Sequence, residues 1–555
     1  MQHQWRLGGY VGLVALLAAC GGGGEPSSGL EPDVVVRPAY IVDQFDPSEP
    51  GEPLQAAQWH LWERGVNVPP YGLNFENTGK GMVVAMLDTS IQITHPELLG
   101  RIAAYADFVD AADEDPSPDP TSTTAWHGTA VAGTIAAAAR GPNYHGTGEG
   151  GRGVAPLAQL LAFRVVPEAT GEVSAPPSLA LQKAIDEGAR VVNNSWTHKD
   201  GGALTPVDSA WRDTLGRIML NSPPPVVIFA AGNAGEGADA TAVPLMGDMS
   251  SWDTYTNHRQ VITIGATGSQ GEAVEYSESG PNVLVSAPGG TRGDGLITTD
   301  LIGAGGANPD GDDLKADSGG TGFAGTSGAV AVASGVVALM LQAKPTLGAR
   351  EVAWILADTA TAPSCASPVC DGWLAPQAAE MGSAKTYSHR YGFGRINATA
   401  AVEMAKAFEP FGTEQSCDSA WVYPNVTGYS GVRIPEVATN GVVSFFEQSK
   451  VMSACPSRIE RVSLEVEVSA STTYSQNRFS GDLHIRLSSP SGRISELTRP
   501  HACGSACADL TNGFTFSSAR HMGEPGDGSW TLSIADELPN DQGTLNRWRL
   551  RLYGH

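Results

Sequence analysis

The chain is 555 residues long, with 34 Lys and Arg against 59 Asp and Glu, and its formal net charge is −25. A surface this acidic argues against a nucleic-acid partner, because phosphate backbones are bound by Lys and Arg. Hydrophobic residues make up 41% of the chain. It is therefore globular rather than disordered, and its length predicts about two to four domains.

The first residues form a targeting segment rather than part of a fold. An apolar stretch follows Arg6 and ends at Cys20, and it is too short to span a membrane as a mature helix. Its last four residues, Leu-Ala-Ala-Cys, resemble a bacterial lipobox, which implies a signal peptide over 1–19 and lipidation of the Cys20 thiol. The alternative is an ordinary secretion signal cleaved at the same point. Residues 20–51 are then a lipidated cysteine and a flexible linker, so we expect a protein anchored in the bacterial cell envelope, facing the periplasm or the cell surface, or released from it.

Two segments in the first third of the chain carry candidate catalytic side chains. Residues 82–89 are a continuous apolar run that ends in Asp88. Such a run predicts a buried parallel strand with its carboxylate at the edge where ligands bind in open sheets. His127 begins a predicted helix of very small residues, which lets neighbouring elements pack close to the imidazole. The alternatives are a strand-end Asp that caps a turn and a capping or surface histidine.

Strand-like apolar runs alternate with helical patterns from 52 to 405, which predicts an α/β catalytic domain with a doubly wound parallel sheet. Besides 82–89, the strand candidates are 160–166, 190–195, 261–264 and 283–285.

Two later segments carry the remaining candidates. The apolar run 226–231 ends in a Gly-flanked Asn233, whose side-chain amide could donate to an oxyanion. Ser327 belongs to the segment 323–329, which stands directly before the small and apolar run 330–341. A hydroxyl at the start of a helix lies where backbone N–H groups favour developing negative charge. The alternative is a Gly-Thr-Ser turn that only caps the helix.

The pattern changes from about residue 410. Residues 462–468 alternate apolar and polar side chains, and so do Leu483, Ile485 and Leu487. Alternation with a period of two predicts antiparallel strands with one buried face. The segment 410–555 is therefore predicted to be a separate antiparallel β-sandwich, similar to a jelly roll.

Seven cysteines are present, and six remain if Cys20 is lipidated. An even remainder in an exported chain suggests three disulfide bonds. Pairing of near neighbours is the simplest scheme, but the connectivity stays open, and the spacings do not suggest a zinc site. The remaining cysteines are Cys365, Cys370, Cys417, Cys455, Cys503 and Cys507.

The chain order Asp88, His127, Ser327 is the order of the subtilisin triad. With Asn233 as an oxyanion donor, the chain resembles the subtilase superfamily, and more closely its kexin-like proprotein convertase branch. The motifs for that branch are QWHL at 58–61, TGKG at 78–81 and RYGFGRINA at 390–398, and those similar to its P domain are GDLHIRLSSPSG at 481–492, GSWTL at 528–532 and GTL at 543–545.

The resemblance implies calcium as cofactor. Three acid sets match its sites, and a solvated acidic loop is the alternative for each. The third set departs from the family, which has Asp at both positions. The sets are Asp200, Asp239 and Glu278 for the first site, Asp110, Asp113 and Asp115 for the second, and Glu52 and Glu97 for the third.

The resemblance also implies a preference for Arg or Lys at P1, the substrate residue before the scissile bond. Asp253 matches the carboxylate at the floor of the family's P1 pocket, and Asp200 faces the same pocket. A neutral P1 side chain would leave these carboxylates unpaired. Thr89 and Thr124 stand where the family has acids for the next subsite, so a strictly dibasic requirement does not follow.

These observations predict a calcium-dependent serine endopeptidase that acts on proteins or peptides with basic residues. Two alternatives remain, namely a broad-specificity subtilisin whose P domain binds a surface or partner, and a non-catalytic subtilase-like binding protein. Residues 21–50 are too few for the folded inhibitory propeptide that subtilases usually carry, so a dedicated folding chaperone or inhibitor stays open as a further partner.

Overall fold

In the computed structural model, residues Pro32–His555 form one compact unit. The structure describes this unit except residues 37–53, 71–75, 111, 114, 119–121, 139–149, 175, 199–203, 205–207, 236–246, 254, 292, 304, 309–312, 315–321, 363–385, 426–430, 439–440, 471–478, 502–509 and 539–542.

A sheet of eight strands forms the centre of the first domain, in the order β1-β3-β4-β2-β5-β6-β7-β8. All neighbours are parallel except β1, which runs antiparallel to β3. A separate two-stranded ribbon pairs β9 with β10. The strands are β1 Val35–Val36, β2 Val83–Asp88, β3 Ile102–Asp107, β4 Gln159–Arg164, β5 Val191–Asn194, β6 Val226–Ala230, β7 Val261–Thr267, β8 Val283–Pro288, β9 Thr298–Thr299 and β10 Asp313–Leu314.

Six α-helices belong to the described part of this domain. The longest, α4, packs on α1, α6 and several strands of the sheet. It is apolar and long enough to cross a membrane, but 89% of it is buried inside the protein, so it is a core helix. The helices are α1 His127–Ala136, α2 Pro177–Asp186, α3 Ser209–Ile218, α4 Thr326–Ala343, α5 Ala349–Thr359 and α6 Ala398–Ala407.

The predicted doubly wound parallel sheet is confirmed, because the apolar runs form strands buried on both faces. Strands β5 to β8 are buried along their whole length. Their bounds differ from the sequence prediction by a few residues at most, and α6 runs to Ala407, slightly past the predicted domain end at 405.

Small residues allow α1 to lie against the β9 ribbon. A Cβ atom at Gly133 would collide with the side chain of Thr299. The Thr299 hydroxyl also donates to the Thr129 carbonyl at 2.7 Å, which fixes the same contact. This close packing places the first turn of α1, with His127, beside the carboxyl end of β2.

The C-terminal domain consists of two antiparallel sheets, as predicted. One sheet has the order β11-β19-β14-β17, with β12 also paired to β19, and the other has the order β13-β18-β15-β16. The strands are β11 Gln415–Asp418, β12 Val432–Arg433, β13 Phe446–Met452, β14 Ile459–Ala470, β15 Leu483–Ser488, β16 Ile494–Thr498, β17 Leu510–Ser518, β18 Gly528–Asp536 and β19 Gly543–Gly554.

One hydrophobic cluster takes side chains from both sheets of this sandwich, including Leu464, Trp530 and Trp548. Cys417 on β11 forms a disulfide bond with Cys455, which follows β13. This bond confirms one disulfide of the predicted framework. The other four cysteines of the predicted framework lie outside the described residues.

Ion pairs hold the two domains together at one end of their interface. Arg350 on α5 makes two hydrogen bonds with Glu460 on β14, at 2.7 and 2.6 Å. Arg259 lies between β6 and β7 and donates to both carboxylate oxygens of Glu414, at 3.0 and 3.1 Å. The two arginines are only about a quarter exposed, so these pairs are less screened than surface pairs.

A buried histidine contributes a hydrogen bond to the interface. The Nε2 atom of His389, in the first domain, accepts from the Glu496 N–H on β16 at 3.2 Å. Burial lowers the pKa of His389 to about 4, against the charge of Glu496, and the charges of Arg499 and Arg520 act in the same direction as burial. The contact therefore needs a neutral imidazole.

We expect the free energy of unfolding to decrease as pH falls from about 6.5 towards 4. In this range the unfolded chain binds the His389 proton and the folded chain does not, at a cost of about 2–3 kcal/mol. The substitution His389→Gln keeps an acceptor that does not titrate, so it should flatten this pH dependence in urea denaturation. His60 and His258, also buried with lowered pKa values, retain part of it. An unchanged pH profile in the variant would contradict the assignment.

Candidate active site

Asp88 is the last residue of β2, and its side chain is buried with 1% exposure. Its Oδ1 atom accepts from the Thr89 N–H at 2.8 Å and lies 2.7 Å from His127 Nδ1. The carboxylate thus stands at the carboxyl edge of the parallel sheet, as the sequence predicts, and it fixes one nitrogen of the imidazole.

His127 occupies the first position of α1 with 27% of its side chain exposed. The Phe323 ring packs edge-on against it, and the Gly128 N–H donates to the Thr89 hydroxyl at 3.0 Å. Burial disfavours imidazolium, but the charge and hydrogen bond of Asp88 outweigh burial and raise the pKa of His127 above its ordinary value. With Nδ1 held by Asp88, Nε2 is the nitrogen available to a reacting group.

Ser327 lies in the first turn of α4, after Gly325, whose φ of 140° favours glycine. Its side chain is nearly buried, with 7% exposure, and its hydroxyl donates to the Ser195 carbonyl at 3.2 Å. The N–H groups of a first helical turn lack acceptors within the helix, so the backbone of Ser327 adds a donor to this site.

Asn233 follows β6 and is exposed in the same cleft. Its Oδ1 atom accepts from both the N–H and the hydroxyl of Thr326, each at 2.9 Å. Because the oxygen is engaged, the two Nδ2 hydrogens remain as donors. Sequence reasoning missed Thr326, although its place directly before Ser327 is a signal for this role.

These side chains share one cleft of about 410 Å³. Its walls come from the ends of β2, β4, β5 and β6 and from the first turns of α1 and α4. The lining residues are Asp88, Thr89, Thr124, His127, Val166, Glu168, Thr170, Gly171, Glu172, Ser195, Trp196, Thr197, His198, Asn233 and Ser327.

A buried polar chain supports the floor of the cleft. Ser334 on α4 donates to Asn193 at 2.9 Å, and Asn193 donates to the Ser195 hydroxyl at 2.9 Å. The Ser195 hydroxyl then donates to the Ser327 carbonyl at 3.3 Å. This series of hydrogen bonds joins β5 to α4 across the core and fixes the position of Ser327 above the sheet. A sequence offers no direct signal for it.

Two acidic side chains in the cleft were also missed. Glu168 binds Arg164 at 2.7 Å and accepts from the Ser90 N–H at 2.7 Å. Although burial opposes ionisation, these hydrogen bonds hold the pKa of Glu168 below its usual range. With Glu172, it makes this wall of the cleft acidic.

Asp253, predicted to be the floor of the P1 pocket, stands behind the cleft residue His198. Its Oδ2 atom accepts from the His198 N–H at 2.9 Å, and its Oδ1 atom accepts from the Tyr255 N–H at 2.7 Å. Burial raises the pKa of this carboxyl group, against the effect of the nearby His198.

The calcium-ligand predictions can be compared with the structure only in part. Asp200, Asp239 and Glu52 lie outside the described residues. Glu278 is 3% exposed, and its carboxylate lies beside the Ala234 N–H at 3.3 Å, next to Asn233. Glu97 is 2% exposed and follows His95, whose Nδ1 accepts its N–H.

The three aspartates of the predicted second calcium site lie in a loop where their carboxylates form hydrogen bonds with the backbone of the same loop. The carboxylates of Asp110, Asp113 and Asp115 each accept the backbone N–H two residues further along. Across the described residues, no three His, Cys, Asp or Glu side chains converge as a metal-binding group would require. The described geometry therefore adds no support for calcium at this loop.

Removal of the Asn233 amide is expected to lower kcat by roughly 10²–10³, because one preorganised donor to an oxyanion has about that effect. The substitution Thr326→Val removes only the hydroxyl that orients the amide. We expect a smaller loss, about tenfold in kcat, with little change in KM. Steady-state kinetics of Asn233→Ala and Thr326→Val on one peptide will check both values. Equal losses in the two variants would show that Thr326 does more than orient Asn233.

Comparison with known proteins identifies the families that the chain resembles. The sequence model of the Subtilase family matches residues 79–394, and that of the proprotein convertase P-domain matches residues 463–552. The chain is 28% identical over 521 residues to "Protease KEX1" of Kluyveromyces lactis, covering 91% of this chain and 60% of that protein. It is also 28% identical over 527 residues to rat furin, covering 91% and 58%. The chain thus spans about 60% of the length of such relatives.

A solved structure shares the whole fold. The crystal structure of a serine protease of Aeromonas sobria covers 95% of this chain and all of that chain, with a TM-score of 0.70 and 22% identity. The same protease in complex with its chaperone gives a TM-score of 0.69 over 94% and 99% of the two chains, at 22% identity. The matched family covers more than half of the residues and contains Asp88, His127, Asn233 and Ser327. The chain belongs to the subtilase family of serine proteases, in the kexin-like branch that carries a C-terminal P domain.

Proposed function

We propose that this chain is a serine endopeptidase that hydrolyses peptide bonds through an acyl-enzyme. The observation that carries the proposal is the 2.7 Å contact between Asp88 and His127 in the same cleft as Ser327 and Asn233. A surface histidine or a helix-capping histidine would not require both a buried carboxylate at one ring nitrogen and an open cleft beside the ring.

In this reaction the Ser327 oxygen attacks the scissile carbonyl, and His127 Nε2 takes the hydroxyl proton. The Asp88 carboxylate stabilises the imidazolium that forms. The Asn233 amide and the Ser327 N–H donate to the oxyanion, and His127 returns the proton to the leaving amine. Water then attacks the acyl-enzyme by the same route, which releases the new carboxylate and frees Ser327.

Cleavage after Arg or Lys is the proposed specificity. Its support is the acidic wall of Glu168 and Glu172, the carboxylate of Asp253 behind His198, and relatives such as the "Dibasic-processing endoprotease" of Schizosaccharomyces pombe. Thr89 and Thr124 line the cleft without charge. The alternative is therefore a broad-specificity subtilisin whose P domain binds a surface or partner.

Calcium belongs to the proposal as a structural cofactor. Glu278, a predicted ligand, is buried beside the N–H of Ala234, the residue after Asn233, so a bound cation there would help to fix the oxyanion donor. Chelation with EDTA is expected to lower both the activity and the melting temperature, and added calcium should restore both. Unchanged values after chelation would remove calcium from the proposal.

The proposed location is the bacterial cell envelope, with a lipid on Cys20 as the anchor. The support is the lipobox-like sequence alone. Mass spectrometry of the mature N-terminus tests it, because an unmodified cysteine refutes the lipid. A folding chaperone is a proposed partner, since the similar Aeromonas sobria protease was crystallised with one.

The deciding experiment is cleavage-site profiling of the protein without residues 1–20 against a peptide library, with and without calcium. A strong preference for Arg and Lys at P1 supports the proposal. The control variant Asp253→Asn should lose much of that preference and keep its activity on neutral sites. Equal cleavage after Leu, Phe and Arg by the wild-type enzyme would favour the broad-specificity alternative.

A further inference from the structure

Trp252 lies within the sequence of the catalytic domain, but its side chain packs in the core of the P domain. With Met249 it is part of the hydrophobic cluster that fills the sandwich, and each is 1% exposed. The indole stacks on His501 at 3.4 Å between ring centroids, and its Nε1 donates to the Thr498 hydroxyl at 2.9 Å. We call residues 249–257 the docking loop; residue 254 lies outside the described residues.

The P domain also holds the other end of the docking loop. Asn257 donates to the Thr515 carbonyl at 2.8 Å and accepts from the Ser517 N–H at 2.7 Å. These two bonds join the side-chain amide of Asn257 to the backbone of β17. The Ser251 hydroxyl donates to the Leu497 carbonyl at 3.0 Å. Contacts to the P domain therefore lie on both sides of Asp253.

Asp253 connects the docking loop to the wall of the cleft. Its carboxylate binds the N–H of His198, which lines the cleft, and the N–H of Tyr255. Its carbonyl accepts from the Asn257 N–H at 2.8 Å. The Tyr255 ring packs against Trp196, another cleft residue, at 5.1 Å. A change in the position of the docking loop would therefore be transmitted to His198 and Trp196 in the wall of the cleft.

Contacts within the catalytic domain fix other parts of the same loop. Ser250 donates to Asn282 at 2.8 Å, and Asn282 donates back to the Ser250 and Thr256 carbonyls. These bonds hold the main chain at residues 250 and 256. The side chains that flank Asp253, namely Ser251, Trp252 and Asn257, turn instead to the P domain. The position of the carboxylate thus depends on both domains.

We propose that the P domain positions the P1-recognising carboxylate of Asp253 through Trp252 and Asn257, and so sets the selectivity for basic substrates as well as the stability of the fold. Trp252, Asn257 and Thr498 are positioning residues, because they act through Asp253 and His198. The inference rests on the proposed function, in which Asp253 recognises a basic P1 residue.

The test compares two conservative variants, Trp252→Phe and Thr498→Val, which remove the same hydrogen bond from either domain. The measured quantity is the ratio of kcat/KM for matched peptides with Arg and Leu at P1. A loss of folded enzyme lowers both values equally and leaves their ratio unchanged. We expect the ratio to fall about 3- to 10-fold in each variant, the range that one hydrogen bond can account for. The double variant should match the single ones, because all three lack one bond.

Arg547→Gln is the matched control, since it breaks the ion pair with Glu467 between β19 and β14, inside the P domain and away from the docking loop. It should lower the melting temperature and leave the Arg-to-Leu ratio at the wild-type value. In an Asp253→Asn background, Trp252→Phe should cause no further loss of the ratio. That result distinguishes an effect through Asp253 from a general loosening of the cleft.

The outcomes separate the inference from the proposed function. If the wild-type enzyme shows no preference for Arg, the basic specificity itself is wrong. If the wild type prefers Arg and Asp253→Asn loses this preference while Trp252→Phe and Thr498→Val keep it, the P domain does not position the pocket and the inference is overturned. A fall of the ratio in Arg547→Gln as large as in Trp252→Phe would overturn it too.

Discussion

Ser327→Ala is expected to give a folded protein whose kcat on peptides is lower by roughly 10⁴–10⁶, since the nucleophile of a triad acts as a unit with its base. The substitution removes one oxygen from a side chain that is nearly buried at the start of α4, so the fold should survive. Single-turnover kinetics and a thermal melt on the same sample will measure both effects.

Asp88→Asn is the companion variant. The amide cannot stabilise imidazolium, so kcat should fall by about 10⁴, and the pKa of His127 should decrease from its raised value. His127 must be neutral to accept the Ser327 proton. The wild-type kcat/KM should therefore fall as pH drops through a value above the ordinary histidine pKa, and the residual activity of the variant should fall at lower pH. Full activity in Ser327→Ala would refute the triad.

Truncation after residue 408 is expected to cost most of the folded yield and to lower the melting temperature strongly. The cut removes the cover of Met249 and Trp252, which are otherwise buried in the sandwich core. It also leaves Arg350 without Glu460 and Arg259 without Glu414. Exposure of a Trp and a Met side chain costs about 2–3 kcal/mol each in hydrophobic free energy.

The measurement is soluble yield and thermal melting of residues 21–408 beside residues 21–555. The full-length variant Trp252→Ala is the control, because it removes one large side chain from the interface and keeps the P domain. It should be destabilised by less than the truncation. A truncated enzyme as stable and as active as the longer one would contradict the structural role of the interface.

The positions of two candidate catalytic residues could be predicted because they lie at the ends of strands. Asp88 ends an apolar run, Asn233 follows another, and parallel strands bring their carboxyl ends to one edge, so the sequence alone placed the two residues together. The small residues after His127 and Ser327 predicted two closely packed helices, and α1 and α4 are in contact. Such predictions work because periodicity and chain order determine which edge a residue occupies.

The partners of the site residues could not be predicted in the same way. Thr326 orients Asn233 from 93 positions further along the chain, and Asn193 reaches Ser334 over a separation of 141. Hydrogen bonds of this kind depend on rotamers and on fractions of an ångström, which a pattern of residue types does not encode. The docking of Trp252 into the sandwich could not be predicted either, since an aromatic residue in a loop can pack in the core of either domain.

The stacking of Trp252 on His501 also gives the protein an internal optical reporter. Indole emission depends on the surroundings of the ring, and in the folded protein the two ring centroids are 3.4 Å apart, so separation of the rings should change the emission of Trp252. Eleven other tryptophans emit as well, so the spectrum of Trp252→Phe must be subtracted from that of the wild type. The difference spectrum then follows the separation of the two domains in real time, during acidification, chelation or substrate turnover, without a label.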